Sequence, residues 1–489
     1  MSEPTTSESS PQVAVAVAPA DLGAPVQSNV YGEAPVEQSV LRRRVFRLAW
    51  PVIGENFLET LLGIVDTWFV AFLGAVALAG VGAATQLMFF VISALSAVAV
   101  GSAVLVAQAV GARSYDQAGN LAKQSLVWAV FISLPLVLTG LIAAEPLIGM
   151  FGMEPAVNEI GAAYLRVTMG TVFALVLRFI AAGVLRGAGD SRTPMLLTLL
   201  SNAINIVLDY GLIFGRLGMP ELGAVGSAWA TFIARTISLV LLLIVLWYGR
   251  NGVSIRGKGG WWPEWSSARR ILGLGVPAAV EQVLITSAFL MQTIVVAQLG
   301  TLVLAAQRVS MNAMSLSFLP GFGFAMAATT LVGQSIGARR PAEGQAAARI
   351  ATLWSMIWMS SLGVVFLLFA EAIVGFFSDD PQVIAIGASG LRMVALSQPF
   401  WAIGFVQAGA LRGAGDTRFP LWINTVGMWT AVGLGALLVY LFGGNLATIW
   451  SAFLLTSPVT AVLMWWRFQR TISGPIKPQV VGPPGNPAS

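Results

Sequence analysis

The 489-residue chain is 56% hydrophobic and only 10% charged, with a formal net charge of +5, whereas an ordinary soluble domain has roughly a quarter of its residues charged. That balance excludes a water-soluble globule, and the basic residues are scattered between apolar runs with no basic face or aromatic-interleaved patch, which excludes a nucleic-acid surface. The chain has no Cys and no His, so disulfides, thiolate nucleophiles, imidazole bases and the usual zinc and haem ligands are excluded as well.

Residues 1–40 hold acids but no Lys or Arg, amid Pro, Ser, Ala and Val, a composition that predicts a disordered tail. A first lobe is expected over 41–249. Its apolar segments, each long enough to cross a bilayer, fall at about 47–73, 82–110, 121–148, 158–186, 193–217 and 223–249. In the first segment Pro51 deletes a backbone hydrogen bond and marks a point where the helix can bend. Glu55, Glu59 and Asp66 follow at roughly 0°, 40° and 20° around that helix, one acidic stripe. A mid-membrane carboxylate costs roughly 2.5–3.5 kcal/mol even on a lenient scale. The stripe must therefore face a wet cavity or another helix.

In the fifth segment Thr198, Ser201, Asn202, Asn205 and Asp209 lie within about 100° of one another, a polar face on an apolar helix. Asp66 is expected about 27 Å along its helix from Leu48, and Asp209 about 22 Å from Pro194. At those depths the two can meet. Two carboxylates and the Asn205 amide suit a sodium ion, or a pair that shares one proton.

A linker rich in Gly, Trp and basic residues is expected at 250–268. A second lobe follows over 269–470, with segments at about 269–299, 304–335, 345–375, 384–412, 419–443 and 446–470. The Pro- and Gly-rich residues 471–489 read as a tail.

The second lobe repeats the first. Leu185-Arg186-Gly187-Ala188-Gly189-Asp190 returns 226 residues later as Leu411-Arg412-Gly413-Ala414-Gly415-Asp416. The same offset aligns Gln108 to Arg113 with Gln334 to Arg339, and Pro51 and Glu55 with Pro277 and Glu281. Six segments per copy make the copies parallel repeats about an axis along the membrane normal. The acids, however, are not repeated: Asp66, Asn205 and Asp209 align with Gln292, Ala431 and Gly435, and only Glu281 survives as an intramembrane acid. Most of the 27 basic residues fall on one side, whose loops include Arg42 to Arg44, Arg186, Arg192, Arg256, Arg339, Arg412 and Arg467. Both termini are accordingly expected in the cytoplasm.

Taken together, the paired Leu-Arg-Gly-Ala-Gly-Asp-x-x-x-Pro and Gln-x-x-Gly-Ala-Arg motifs, Pro51 with Val65-Asp66-Thr67, and Asn205-Ile206-Val207-Leu208-Asp209 resemble the multidrug and toxic compound extrusion (MATE) transporters, and within them the DinF-like branch. The resemblance covers about 45–470. It implies an all-α membrane protein of twelve transmembrane helices in two pseudo-twofold-related six-helix lobes, arranged in a V, with no enzymatic activity. It implies antibiotic-type multidrug efflux: amphipathic, often cationic compounds exported by alternating access against H+ or Na+, the coupling ion being the sole cofactor. The resemblance places the coupling site in the first lobe, at Asp66, Asn205 and Asp209, with Thr231 completing the shell. Glu55, Glu59 and Glu281 are the cavity acids, Glu281 serving equally well as a packing element between lobes. Met291, Gln292, Met311, Met314, Phe318, Trp401 and Phe405 are the candidate lining of an adaptable drug cavity. The expected partners are small-molecule drugs and the lipid bilayer, with the chain a monomer in the plasma (inner) membrane of a prokaryote.

Two other readings stay open. Related transporters flip lipid-linked precursors, which calls for basic residues facing the cavity. Gly-x-Gly-Asp is also a signature of intramembrane aspartyl proteases, but both copies lie among arginines and precede a proline, as helix-ending turns with Arg–Asp contacts would.

Overall fold

A computed structural model describes residues 37–257 and 259–474. The tail residues 1–36 and 475–489 lie outside the described residues. Within them the chain forms thirteen α-helices and, among the described residues, no strand beyond a single bridge between Arg250 and Val253. The first repeat comprises α1 (Gln38–Ala71), α2 (Ala75–Gly111), α3 (Tyr115–Gly149), α4 (Pro155–Gly170), α5 (Val172–Gly187), α6 (Arg192–Phe214) and α7 (Gly223–Tyr248). The second comprises α8 (Trp265–Ala297), α9 (Thr301–Gly337), α10 (Pro341–Gly375), α11 (Pro381–Gly413), α12 (Arg418–Phe442) and α13 (Leu446–Ser473).

Helices α4 and α5 meet at a 45° bend; taken as one span, they bring the described residues to up to twelve helical segments long and apolar enough to cross a membrane. The bend at Thr171 has no counterpart in the second copy, where α11 runs unbroken. Sequence patterning reads 158–186 as one straight segment, because no proline or turn cluster marks the break. Proline is not where these helices break: α1 continues through Pro51 and α8 through Pro277.

Helix α1 also starts earlier than its apolar segment predicts. Its first turns are amphipathic, with Leu41, Val45 and Leu48 buried and Arg42, Arg43, Arg44 and Arg47 exposed, so an apolar window passes over them. Those buried residues do not join the first lobe. They pack with Phe324, Ala328 and Leu331 of α9 in the core of the second. The equivalent residues of α8, Ile271 and Leu274, pack into the core of the first. Each copy thus lends the start of its leading helix to the other.

Small residues bring helices together where lipid supplies no hydrophobic drive. A Cβ on Gly183 or Gly187 of α5 would lie 3.0 or 2.5 Å from the Ala99 and Ala103 carbonyls of α2. A Cβ on Gly409 or Gly413 of α11 would lie 2.4 Å from the Ala325 or Thr329 carbonyl of α9, the same contacts 226 residues on.

Both Leu-Arg-Gly-Ala-Gly-Asp motifs are helix ends. Gly189 and Gly415 adopt φ of +87° and +89°, the left-handed turn that closes a helix C-terminus. The aspartates then cap the next helix: Asp190 accepts from the Arg192 and Thr193 amides at 3.1 Å, and Asp416 from Phe419 at 3.1 Å. Arg250 reaches Asp190 and Arg467 reaches Asp416, each at 2.9 Å. Partial burial pushes the Asp190 carboxyl up, but hydrogen bonds from Thr193 and Arg250 outweigh it and hold the group below its ordinary range.

Candidate functional site

The acidic stripe of α1 and the polar face of α6 meet inside the first lobe. Asn205 lies between them with its amide nitrogen turned to the acids, the orientation that pairs donors with acceptors on both sides. It donates to Asp66 Oδ1 at 3.1 Å and to Asp209 Oδ2 at 2.9 Å, and its oxygen accepts from Thr231 Oγ1 of α7 at 3.2 Å. Asp209 and Asn205 are buried, Asp66 partly so. Tyr164 of α4 and Ser227 of α7 stand beside Asp209. Asp209 Oδ1 accepts no hydrogen bond among the described residues. A buried anionic oxygen without a donor is costly unless a proton or cation takes it up.

Below this cluster the same stripe is occupied by ion pairs. Arg178 of α5 binds Glu59 at 2.5 Å and donates to Thr198 Oγ1 at 3.2 Å. Arg186 binds Glu55 at 2.7 Å. Asn202 donates to the Leu58 carbonyl at 2.7 Å, fixing α6 on α1. Arg235, one turn from Thr231 on α7, adds a positive charge that acts on both Glu59 and Asp66.

Glu281 is placed as Glu55 is. It accepts from Arg412 at 2.7 Å and from Asn424 at 2.6 Å, and is buried. The two ion pairs, Glu55 with Arg186 and Glu281 with Arg412, are images at the 226-residue offset. Sequence reasoning did not find these arginine partners. The signal was present: both acids and both arginines recur together at one offset.

A cavity of about 380 Å³ opens where the lobes face each other. Helix α1 gives it Glu55, Asn56, Glu59 and Thr60, α5 gives Phe179 and Arg186, and α9 gives Leu319, Phe322 and Met326. A larger groove of about 510 Å³ between α3, α5 and α7, lined by residues such as Val130, Val240 and Trp247, is almost wholly apolar. It offers nothing to recognise a charge, and its half-exposed side chains suit lipid.

The predicted drug-cavity residues divide. Phe318, Trp401 and Phe405 form one aromatic cluster, with ring centroids at 5.2 and 5.1 Å from Phe318. Phe322 stacks on Phe405 at 4.9 Å and links that cluster to the cavity. Met311 and Met314 pack into the second-lobe core. Met291 is exposed, and Gln292 is fully buried with neither amide atom hydrogen-bonded.

A family model described as MatE matches residues 51–211 and again 277–437, so the two matched stretches are themselves offset by 226 residues. This chain belongs to the MatE family. Among relatives of this MatE transporter, the "Probable multidrug resistance protein NorM" of Thermotoga maritima is 35% identical over 80% of the chain and 84% of its own length. The "Multidrug resistance protein NorM" of Burkholderia vietnamiensis is 30% identical over 86% of the chain and 92% of its own. Among solved structures, an outward-facing conformation of a multidrug resistance MATE family transporter of the MOP superfamily superposes with a TM-score of 0.81 at 23% identity, over 90% of this chain and 99% of that one. A MOP superfamily transporter from Pyrococcus furiosus superposes equally, with the same TM-score, identity and coverage. The two-lobe, all-helical fold is therefore that of MATE transporters, a family of carriers rather than enzymes.

Proposed function

We propose that this MatE transporter is a secondary active multidrug exporter, moving amphipathic, cationic organic compounds outward in exchange for H+ or Na+ by alternating access. The observation that bears most of this reading is the Asp66–Asn205–Asp209–Thr231 cluster, with its unpaired Asp209 oxygen. One elementary charge crossing 100 mV releases about 2.3 kcal/mol. A proton or sodium ion entering between the two carboxylates neutralises charge at the outer part of α1, and the same helix lines the cavity through Glu55 and Glu59. Ion and substrate thereby act on one element. The names of the NorM relatives support efflux of drugs.

The arginine-rich end is assigned to the cytoplasm by the excess of basic residues there, with both termini inside and the chain in the plasma (inner) membrane of a prokaryote. One chain supplies both faces of the cavity, which supports a monomer. The apolar wall formed by Phe179, Phe322 and Met326, with its aromatic faces, suits a cation with an aromatic body. Arg186, the basic residue of the cavity lining, is neutralised by Glu55, which weighs against an anionic pyrophosphate cargo and so against a flippase.

The test is uptake of a fluorescent organic cation into proteoliposomes under separately imposed proton and sodium gradients. Asp66→Asn and Asp209→Asn should each abolish gradient-driven transport while the protein still folds and binds substrate, and Glu281→Gln should be milder. Normal transport by both aspartate variants with loss in Glu281→Gln would move the coupling site to the second lobe.

A further inference from the structure

The paired Gln-x-x-Gly-Ala-Arg motifs lie at the arginine-rich ends of α2 and α9, outside both the acid cluster and the cavity. Their side chains cross between the lobes. Gln108 Nε2 of α2 donates to the Gly413 carbonyl at the end of α11, at 3.1 Å. Gln334 Nε2 of α9 donates to the Gly187 carbonyl at the end of α5, at 3.0 Å. Donors and acceptors both differ by 226, so the two bonds are one bond made twice.

The acceptors are unusual. In the first turn the Asp190 amide returns to Leu185 O at 2.8 Å and the Gly189 amide to Arg186 O at 2.9 Å. In the second, Asp416 returns to Leu411 O and Gly415 to Arg412 O, both at 2.9 Å. Among the described residues no backbone amide of either turn reaches Gly187 O or Gly413 O. A helix-terminal carbonyl without an intrahelical donor needs another partner. Here that partner comes from the opposite lobe, and is within reach only while these ends touch.

The contact beneath is backbone against backbone. A Cβ on Gly111 would lie 1.9 Å from Gln334 O, and one on Gly337 would lie 1.9 Å from Gln108 O. The helices close to a distance that only glycine permits at both crossing points.

We infer that Gln108 and Gln334 are gate residues of the transport cycle: two equivalent donors that hold the cytoplasmic end of the lobe interface shut and are released before substrate enters from that side. The inference rests on the alternating-access reading above. On opening, both amides and both carbonyls reach the aqueous end of the helices, where water replaces each lost bond. A latch of neutral hydrogen bonds therefore opens and closes with little net cost, as a transport cycle requires.

The absence of cysteine allows direct distance measurement. Asp116→Cys and Ala342→Cys, exposed and equivalent at the offset, place spin labels at the cytoplasmic starts of α3 and α10. Ala156→Cys and Gln382→Cys, also exposed equivalents, do so at the other end. In the parent the short cytoplasmic distance should dominate. Gln108→Met with Gln334→Met keeps bulk but removes both donors, and should raise the ratio of open to closed cytoplasmic ends about tenfold, ~1.4 kcal/mol. Each single variant should give a smaller rise.

The outer distance should shorten as the inner one lengthens. A fold merely loosened by the substitutions would broaden both distances together, and that result overturns the proposal, as does an unchanged inner distance in the double variant. Should the parent show no gradient-driven transport while the distances still respond to the Gln substitutions, the antiport reading fails and the latch stands. Should the parent transport while the distances ignore those substitutions, the reverse holds.

Discussion

Arg178 sits within the membrane span with 4% of its side chain exposed, held by Glu59 and Thr198. Removing one member of such a pair leaves the other charge without compensation, whereas removing both is far better tolerated. Arg178→Leu should lower stability by about 3 kcal/mol, toward the lower end of the usual range because Glu59 keeps some access to water. Arg178→Leu with Glu59→Leu should recover most of that loss, read by thermal unfolding in detergent. A double variant as unstable as the single would show that the pair is not the cause. At this scale the sequence was legible in part. Asp66, Asn205 and Asp209 stood out because polar residues repeating on one face of an apolar helix have few reasons to be there. Arg178, Arg235 and Arg308 were legible as arginines within the spans, able to pair with the acids, but which acid each meets was not, since a helical angle says which way a side chain points on its own helix and nothing of which helix it meets.

The Leu-Arg-Gly-Ala-Gly-Asp elements show how one turn ends a helix, starts the next and binds a distant arginine. Replacing the cap by Asp190→Asn keeps an acceptor but loses the charge, and should cost about 1 kcal/mol. The pH dependence has a definite sign. The folded state holds Asp190 below its ordinary range, so its stabilisation is complete above about pH 4, the unfolded value, and is lost as pH falls through the lower folded value. Melting temperatures of parent and variant should run parallel from pH 8 to 5 and converge in stronger acid; divergence there would contradict the cap. Helix α1 and the α4–α5 bend mark the opposite limit. The extra turns of α1 are amphipathic and escape an apolar window, and the α4–α5 bend falls at Gly170-Thr171, where the Thr171 hydroxyl donates back to the Val167 carbonyl at 2.7 Å, a local signal too slight to interrupt an apolar segment.

For the molecule as a whole, the proposed orientation rests on the excess of basic residues at one end. In this cysteine-free chain, Asp116→Cys and Glu264→Cys, both exposed, should react with a membrane-impermeant maleimide only from the cytoplasm, and Ala156→Cys and Asp379→Cys only from outside. Reversed labelling would invert the assignment, and mixed labelling at one end would break the count of twelve crossings. The two lobes were legible because a single offset aligned motifs across the whole chain. Their interlocking was not, because the residues that cross, Val45, Leu48, Ile271 and Leu274, are ordinary apolar residues whose periodicity reports a buried face without naming the lobe that buries it.

That crossing has a consequence for how such a chain holds together. Helix starts exchanged between copies, and a glutamine from each copy answering a carbonyl of the other, are the self-complementary contacts of an isologous dimer. Here they are fused into one polypeptide. The association of the halves is then written in their surfaces rather than in the connection between them. Two separate polypeptides, one ending and the other beginning at residue 258, should find each other when made in the same cell and purify as one complex through a tag on either half.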